Sequence, residues 1–202
     1  MLTNYRQLNI AMIKNIILYI SLLFITSTTI AQPDYVYTSL DDVKHPDSVY
    51  ILSLKKNKLD TFPTIILSFT NLRELDLSKN RIKILPKEIG QLTKLEILNL
   101  DKNKITYIPQ EISNLLNLRE LRLSRNKIYD LPESMGNMNN LKRLILWSNG
   151  IKTFPQSFSN LNGSIEFIDL RNNPMMLYED QEIIREMLPK PEIKMDNVCN
   201  CK

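Results

Sequence analysis

From about residue 49 onward, apolar residues return in one spacing, LxxLxLxxN, then x(I/L)xx(L/F/I)P, then xx(I/M/F)xx(L/M)xxL. The clearest copy runs through Leu72, Leu75, Leu77, Asn80, Ile82, Leu85, Pro86, Ile89 and Leu92. Asparagines mark its return at Asn57, Asn80, Asn103, Asn126 and Asn149, every 23 residues, and Asn173 follows after 24. Within a copy, Leu75 and Leu77 stand two apart, so on an extended strand both face one side while Glu74, Asp76 and Ser78 face the other. The asparagine follows where the chain must turn. Buried there, its amide donates and accepts at once, which satisfies backbone groups inside the coil. A proline column comes next, Pro63, Pro86, Pro109, Pro132 and Pro155. Proline suits the first position of a short helix or helical turn. Glu88, Glu111 and Glu133 place negative charge at its start, where a helix favours it. Each copy is therefore predicted as strand, turn, convex helical segment and return loop. No single copy can bury its leucines, so neighbours must stack.

The ends of such a stack need covers. Ser39 to Val43 is predicted as a short N-terminal capping helix, with Ser39 and Asp42 as its capping pair. After Asn173 the repeat fails, and Asp180 to Leu188 takes its place with Ile183, Ile184, Met187 and Leu188 on one helical face. Pro189 and Pro191 stop that helix, and Pro191 to Met195 is suited to an edge segment. Two readings of the helix stand: a C-terminal cap, or a partner-binding amphipathic helix.

The expected architecture is thus an α/β repeat: a solenoid with a parallel concave sheet of about six strands and short convex helical or 3-10 segments, capped by a short helix at each end. The segmentation is 1–31 as a signal peptide, 32–48 as N-terminal cap, 49–173 as repeats and 174–202 as C-terminal cap helix and tail. The first segment holds Arg6 and Lys14 and no acid, an apolar run from Ile16 to Ile25, and an A-x-A-like end at Thr29-Ile30-Ala31. That order describes a secretory signal peptide. Its core falls short of the roughly 20 apolar residues of a membrane span, and an uncleaved anchor is the other reading. Met12 offers a second translation start.

Charge changes the picture little. The formal net charge of +4 falls to +2 when Arg6 and Lys14 leave with the segment. The basic turns Lys55-Lys56-Asn57-Lys58 and Asp101-Lys102-Asn103-Lys104 read as a solvated rim, so no nucleic acid partner is expected. Cys199 and Cys201 stand in the last four residues, where they read as a tail open to oxidation in an exported chain. Two thiolates without a nearby histidine do not complete a zinc site, so no metal and no cofactor are expected. The single histidine, His45, stands beside Pro46. No nucleophile–base set and no glycine-rich phosphate loop can be nominated among four glycines, and Gly90, Gly136, Gly150 and Gly163 all read as turn glycines. The chain is therefore expected not to be an enzyme.

The repeat, including Leu85-Pro-Lys-Glu-Ile89 and Ile108-Pro-Gln-Glu-Ile112, resembles the 23-residue class of the leucine-rich-repeat superfamily, above all short exported bacterial members. The resemblance implies a curved solenoid whose concave sheet binds proteins or other macromolecules. It leaves a second functional reading open, a membrane-tethered or cytoplasmic signalling scaffold similar to the Ras-group members of the superfamily. The membrane enters as a partner only if the N-terminal segment stays uncleaved. The bacterial repeat-containing ubiquitin ligases are a third comparison, but their catalytic domain has no counterpart after Asn173.

Read strand by strand, the solvent-facing columns place Arg122, Arg143, Ile145, Trp147, Phe167 and Arg171 on adjacent strands of the C-terminal half. Exposed Trp, Phe and Arg together are what interface hot spots are made of, so these six are the candidate partner-binding residues. Against this stands a structural reading in which Trp147 leans over and covers the cap end. The expected function is a non-enzymatic, exported binding module, periplasmic, cell-surface or secreted.

Overall fold

Two-residue alternation and a recurring turn give short strands, and the structure contains eight, all parallel. The structure, a computed structural model, describes residues 34–174 and 178–196. Its strands are β1 (Val36–Tyr37), β2 (Ile51–Ser53), β3 (Glu74–Asp76), β4 (Ile97–Asn99), β5 (Glu120–Arg122), β6 (Arg143–Ile145), β7 (Phe167–Asp169) and β8 (Glu192–Lys194). They form one sheet in the order β1-β2-β3-β4-β5-β6-β7-β8, so each coil pairs only with its sequence neighbours. The register aligns Leu52, Leu75, Leu98, Leu121, Leu144 and Ile168 as one buried rung per coil.

The repeat positions fill one continuous core. Leu72, Leu75, Leu77, Ile82, Leu85, Ile89 and Leu92 are all buried, as are their equivalents in the next coils except Phe154, which is partly buried. At roughly 1.5–3 kcal/mol per fully buried aliphatic side chain, this row is the main favourable contribution of each coil. Five convex segments are 3-10 turns of the same kind: Thr64–Ser68, Lys87–Gln91, Gln110–Asn114, Glu133–Asn137 and Gln156–Gly163. The proline sits one position earlier than expected, as the N-cap with extended φ and ψ, from Pro63 to Pro155. The last segment is eight residues long where the others are five, which absorbs the 24-residue spacing before Asn173.

Both ends differ from expectation. The sheet has eight strands instead of about six because β1 and β8 add backbone partners to the outer edges of β2 and β7. The predicted N-terminal capping helix is absent: Ser39 to Val43 makes only a turn, closed by Val43 N–H donating to the Leu40 carbonyl at 3.2 Å and Asp41 N–H to Ser39 Oγ at 3.1 Å. A 3-10 turn at Pro46–Ser48 leads into β2. A strand serves better than a helix there, because the open edge of β2 lacks hydrogen-bond partners that only extended chain can give.

At the other end, α1 (Tyr178–Met187) lies against the last convex segment, with Ile184 and Leu188 buried. Ile183, assigned to the buried face, is 57% exposed. Gln181 takes the inward position instead and donates from Nε2 to the Asp196 carbonyl at 3.1 Å. The Gln181, Ile184, Leu188 spacing is the inward stripe, which the pairing of Ile183 with Ile184 concealed. The signal-peptide reading of 1–31, the Met12 start and Cys199 and Cys201 lie outside the described residues. Among those described, no helix is long and apolar enough to cross a membrane.

Candidate functional site

The site is built on the asparagine ladder, which holds each strand's end to the next coil. Asn103 donates from Nδ2 to the carbonyls of Leu77 and Leu100, both at 3.0 Å, and its Oδ1 accepts from Ile82 N–H at 3.0 Å. Asn80, Asn126, Asn149 and Asn173 repeat the same three contacts one coil apart. Asn57 does not: it is exposed. It lies in the first full coil, and no earlier coil supplies the carbonyl and amide that the others bridge. The ladder therefore has five rungs, Asn80 to Asn173.

With strand ends held in this way, the solvent-facing residues align in columns. One runs Ile51, Glu74, Ile97, Glu120, Arg143, Phe167 and Glu192. The next runs Ser53, Asp76, Asn99, Arg122, Ile145, Asp169 and Lys194. In the third, past the strand ends, Ser78 and Ser124 turn out buried, at 3% and 7% exposure, because short hydroxyls sink beneath their larger neighbours.

The six candidate residues divide between two adjoining places. Arg122, Ile145, Trp147 and Arg171 line a groove of about 410 Å³ together with Asp101, Arg125 and Asp169. Arg143 and Phe167 stand in the neighbouring column, outside it. Their cations are held in place. Arg171 forks onto Asp169 at 2.9 Å from Nε and 2.6 Å from Nη2. Arg122 donates to Asp101 at 3.1 Å and to Glu120 at 3.4 Å, and Arg143 Nε also lies 3.4 Å from Glu120. Its hydrogen bonds to the Asp169 carboxylate, and the charge of that carboxylate, hold the Arg171 guanidinium above its ordinary value. Burial pulls Arg122 down, but the hydrogen bond and charge of Asp101, aided by Glu120, outweigh it and leave it raised. Arg122 and Arg171 are thus each held in an oriented position by two hydrogen bonds.

The two rings are flanked by cations, of which the column reading found Arg143 and missed Arg125 and Lys194. Arg125 lies over Trp147, 4.4 Å from the ring centroid. Arg143 and Lys194 lie over Phe167 at 4.9 and 5.3 Å. The indole therefore rests against Arg125 on the solvent face and remains only partly covered. Lys194 escaped notice because it lies on β8, beyond the repeats. A second groove, about 350 Å³, opens in the N-terminal half between Ile51, Glu74, Asp76, Ile97 and Asn99. Its apolar members Val36 and Ile51 face the groove because β1 extends the sheet.

No cluster of three or more His, Cys, Asp or Glu that would hold a metal exists among the described residues. His45 is exposed, and its carbonyl accepts from Ser48 Oγ at 2.7 Å.

Three overlapping matches to the leucine-rich-repeat family model cover residues 47–105, 70–128 and 117–175. This chain belongs to the leucine-rich-repeat family. Leucine-rich repeats typically mediate protein binding. Its structure is similar to that of a leucine-rich-repeat protein of Leptospira interrogans, at 29% identity and a TM-score of 0.62, covering 82% of this chain and 49% of that one. It is also similar to an internalin of Listeria monocytogenes, at 25% identity and a TM-score of 0.62, covering 75% of this chain and 44% of that one. The leucine-rich-repeat chain thus spans about half the length of these solved relatives. No curated protein matches the sequence significantly.

Proposed function

We propose that this leucine-rich-repeat protein is an exported, non-catalytic binding module that captures a protein ligand on the C-terminal half of its sheet face. The observation that carries the reading is the pair of partly exposed rings, Trp147 beside Arg125 and Phe167 between Arg143 and Lys194, next to a groove floored by Ile145. Aromatic and arginine side chains dominate interface energetics, and rings already braced by neighbours lose little freedom on binding. Family membership and the bacterial structural neighbours support a binding role. The positive, apolar and small-residue order of residues 1–31 supports export, placing the mature chain in the periplasm, at the cell surface or outside the cell. N-terminal sequencing of the native protein tests export: Gln32 at the front is expected, whereas Met1 or Met12 favours a tethered or cytoplasmic scaffold.

The binding reading is tested by Trp147→Ala and Phe167→Ala. Each is expected to weaken capture of the cognate ligand by about 2 kcal/mol, roughly thirtyfold, while melting within a few degrees of the parent. Asp76→Ala, at the other half, should bind normally. Loss of ligand with Asp76→Ala alone would move the site to the N-terminal groove.

A further inference from the structure

One edge of the stack carries a charge pattern that reaches well beyond the C-terminal groove, which takes only Lys102 and Arg125 from it. The residue before each ladder position turns with positive φ, and in four successive coils it is a cation: Lys56 (64°), Lys79 (59°), Lys102 (57°) and Arg125 (55°). The residue after the asparagine is also a cation in those coils, Lys58, Arg81, Lys104 and Lys127, and all eight are exposed. Backbone bonds keep both columns in register. The amides of Lys56, Lys79, Lys102 and Arg125 donate to Ser78, Asp101, Ser124 and Trp147 of the following coil at 2.7–3.0 Å. Arg81, Lys104 and Lys127 donate to Leu59, Ile82 and Ile105 of the preceding coil at 2.8–2.9 Å. Cations therefore recur in two parallel rows at about the 4.8 Å strand spacing, on either side of the asparagine ladder.

These charges are not neutralised from within. None of the eight makes a salt bridge among the described residues. The acids beside them are occupied: Asp76 accepts from Ser78 N–H at 2.8 Å, and Asp101 from Ser124 N–H at 2.7 Å and from Arg122. Lys56, and then Lys102, push the Lys79 ammonium below the ordinary lysine value, as expected of crowded like charges. Nor does the turn require a cation. A left-handed backbone suits asparagine or glycine better than lysine, and the fifth and sixth coils place Ser148 and Asn172 there at 59° and 57°. The second row likewise ends, at Gly150, where the Tyr129 ring occupies the space a side chain would need. Four coils thus carry strain and self-repulsion that the fold itself does not demand, and such features gather at functional sites.

We infer that this edge of the first four coils binds a linear anionic polysaccharide, laid along the stack axis between the two rows. Spacing selects the class. A pyranose chain advances by close to one strand spacing per sugar, so successive sulfate, phosphate or carboxylate groups meet successive coils. Duplex nucleic acid instead carries a charge every ~1.7 Å of a much wider rod. A single strand gains from aromatic platforms for its bases, whereas the residues between these rows in the second to fourth coils are the buried asparagines Asn80, Asn103 and Asn126. The formal net charge is only +4, whereas this edge alone carries eight exposed cations.

The test titrates the full chain with heparin oligosaccharide and with polygalacturonate over a range of NaCl. Changing Lys56, Lys58, Lys79 and Arg81 together to Asn, all outside the C-terminal groove, is expected to weaken binding at least tenfold and to flatten the slope of log affinity against log salt by about three. Asparagine accepts the left-handed turn, so the thermal melt should stay at or above that of the parent. A control with the same change in charge, Lys44, Lys87, Lys94 and Lys190 to Asn, should bind within twofold of the parent. Phe167→Ala should also retain binding, so that failure of the protein-capture reading and failure of this one are told apart. Loss confined to the edge variant, for either polysaccharide, supports the inference. Equal loss in the control, tighter binding of a single-stranded oligonucleotide of matched charge, or no binding of either polysaccharide overturns it.

Discussion

Asn103 shows how one side chain decides whether two coils hold together. Its three hydrogen bonds pair backbone groups of two successive coils that lie beyond the reach of the strand ladder. Asn103→Ala should therefore cost about 1–3 kcal/mol, the penalty for leaving buried groups unpaired. Asn57→Ala, on an exposed asparagine, should stay within about 0.5 kcal/mol of the parent; denaturant melts of the two variants side by side check both values. The template makes the two residues identical in sequence. Only their place in the stack separates them, and that place was not legible without knowing where the stack begins. Glycine is a second case. Gly90 and Gly136 read as turn residues, yet no glycine has positive φ. A Cβ on Gly136 would lie 2.4 Å from the Ser157 carbonyl of the next coil, and one on Gly90 2.6 Å from that of Glu111. Close approach of convex segments is what excludes a side chain. Gly136→Ala is accordingly expected to destabilise by about 1–3 kcal/mol through overpacking, measured as a fall in the urea midpoint at unchanged slope.

At the scale of elements, the interior strands and 3-10 segments were legible because every coil states the same pattern in register, and each position meets its own equivalent next door. The N-terminal end was not, because a terminal coil has a neighbour on one side only and takes whatever sequence satisfies the other. There β1 stands in place of the expected capping helix, whereas the C-terminal helix and the edge segment expected at Pro191 to Met195 appear as α1 and β8. The C-terminal cover is α1 with β8: Ile184 and Leu188 bury beside the last convex segment, and Ile193 continues the rung from Ile168. Truncation after Asn173 removes both, leaving Ile168 and Leu170 next to water and the β7 edge unpaired. Repeat arrays depend on such covers for solubility. The truncated chain should aggregate or melt well below the parent, read by light scattering and circular dichroism during heating. A soluble truncation of equal stability would free α1 for partner binding.

For the whole molecule, the sheet face sorts chemistry along its length. The N-terminal strands carry Glu74, Asp76 and Asn99, and the C-terminal strands bring together the arginines, Trp147 and Phe167. The candidate residues could be nominated from sequence because period and alternation fix a column for every strand residue. Their mutual bracing could not, since it depends on Arg125 and Lys194, one in a turn and one beyond the repeats. The same limit hid the cationic edge: lysines that look like scattered turn residues along the chain become two rows only when the coils stack. The central claim, that the C-terminal half of this face is where a protein ligand sits, is tested most directly by site-specific photocrosslinking in the producing cell. A photoreactive residue at Ile145 is expected to give a discrete protein adduct, while the same group at Ser53 on the N-terminal half or at the convex, exposed Leu116 gives none. Adducts formed from Ser53 or Leu116 with Ile145 silent would contradict the account.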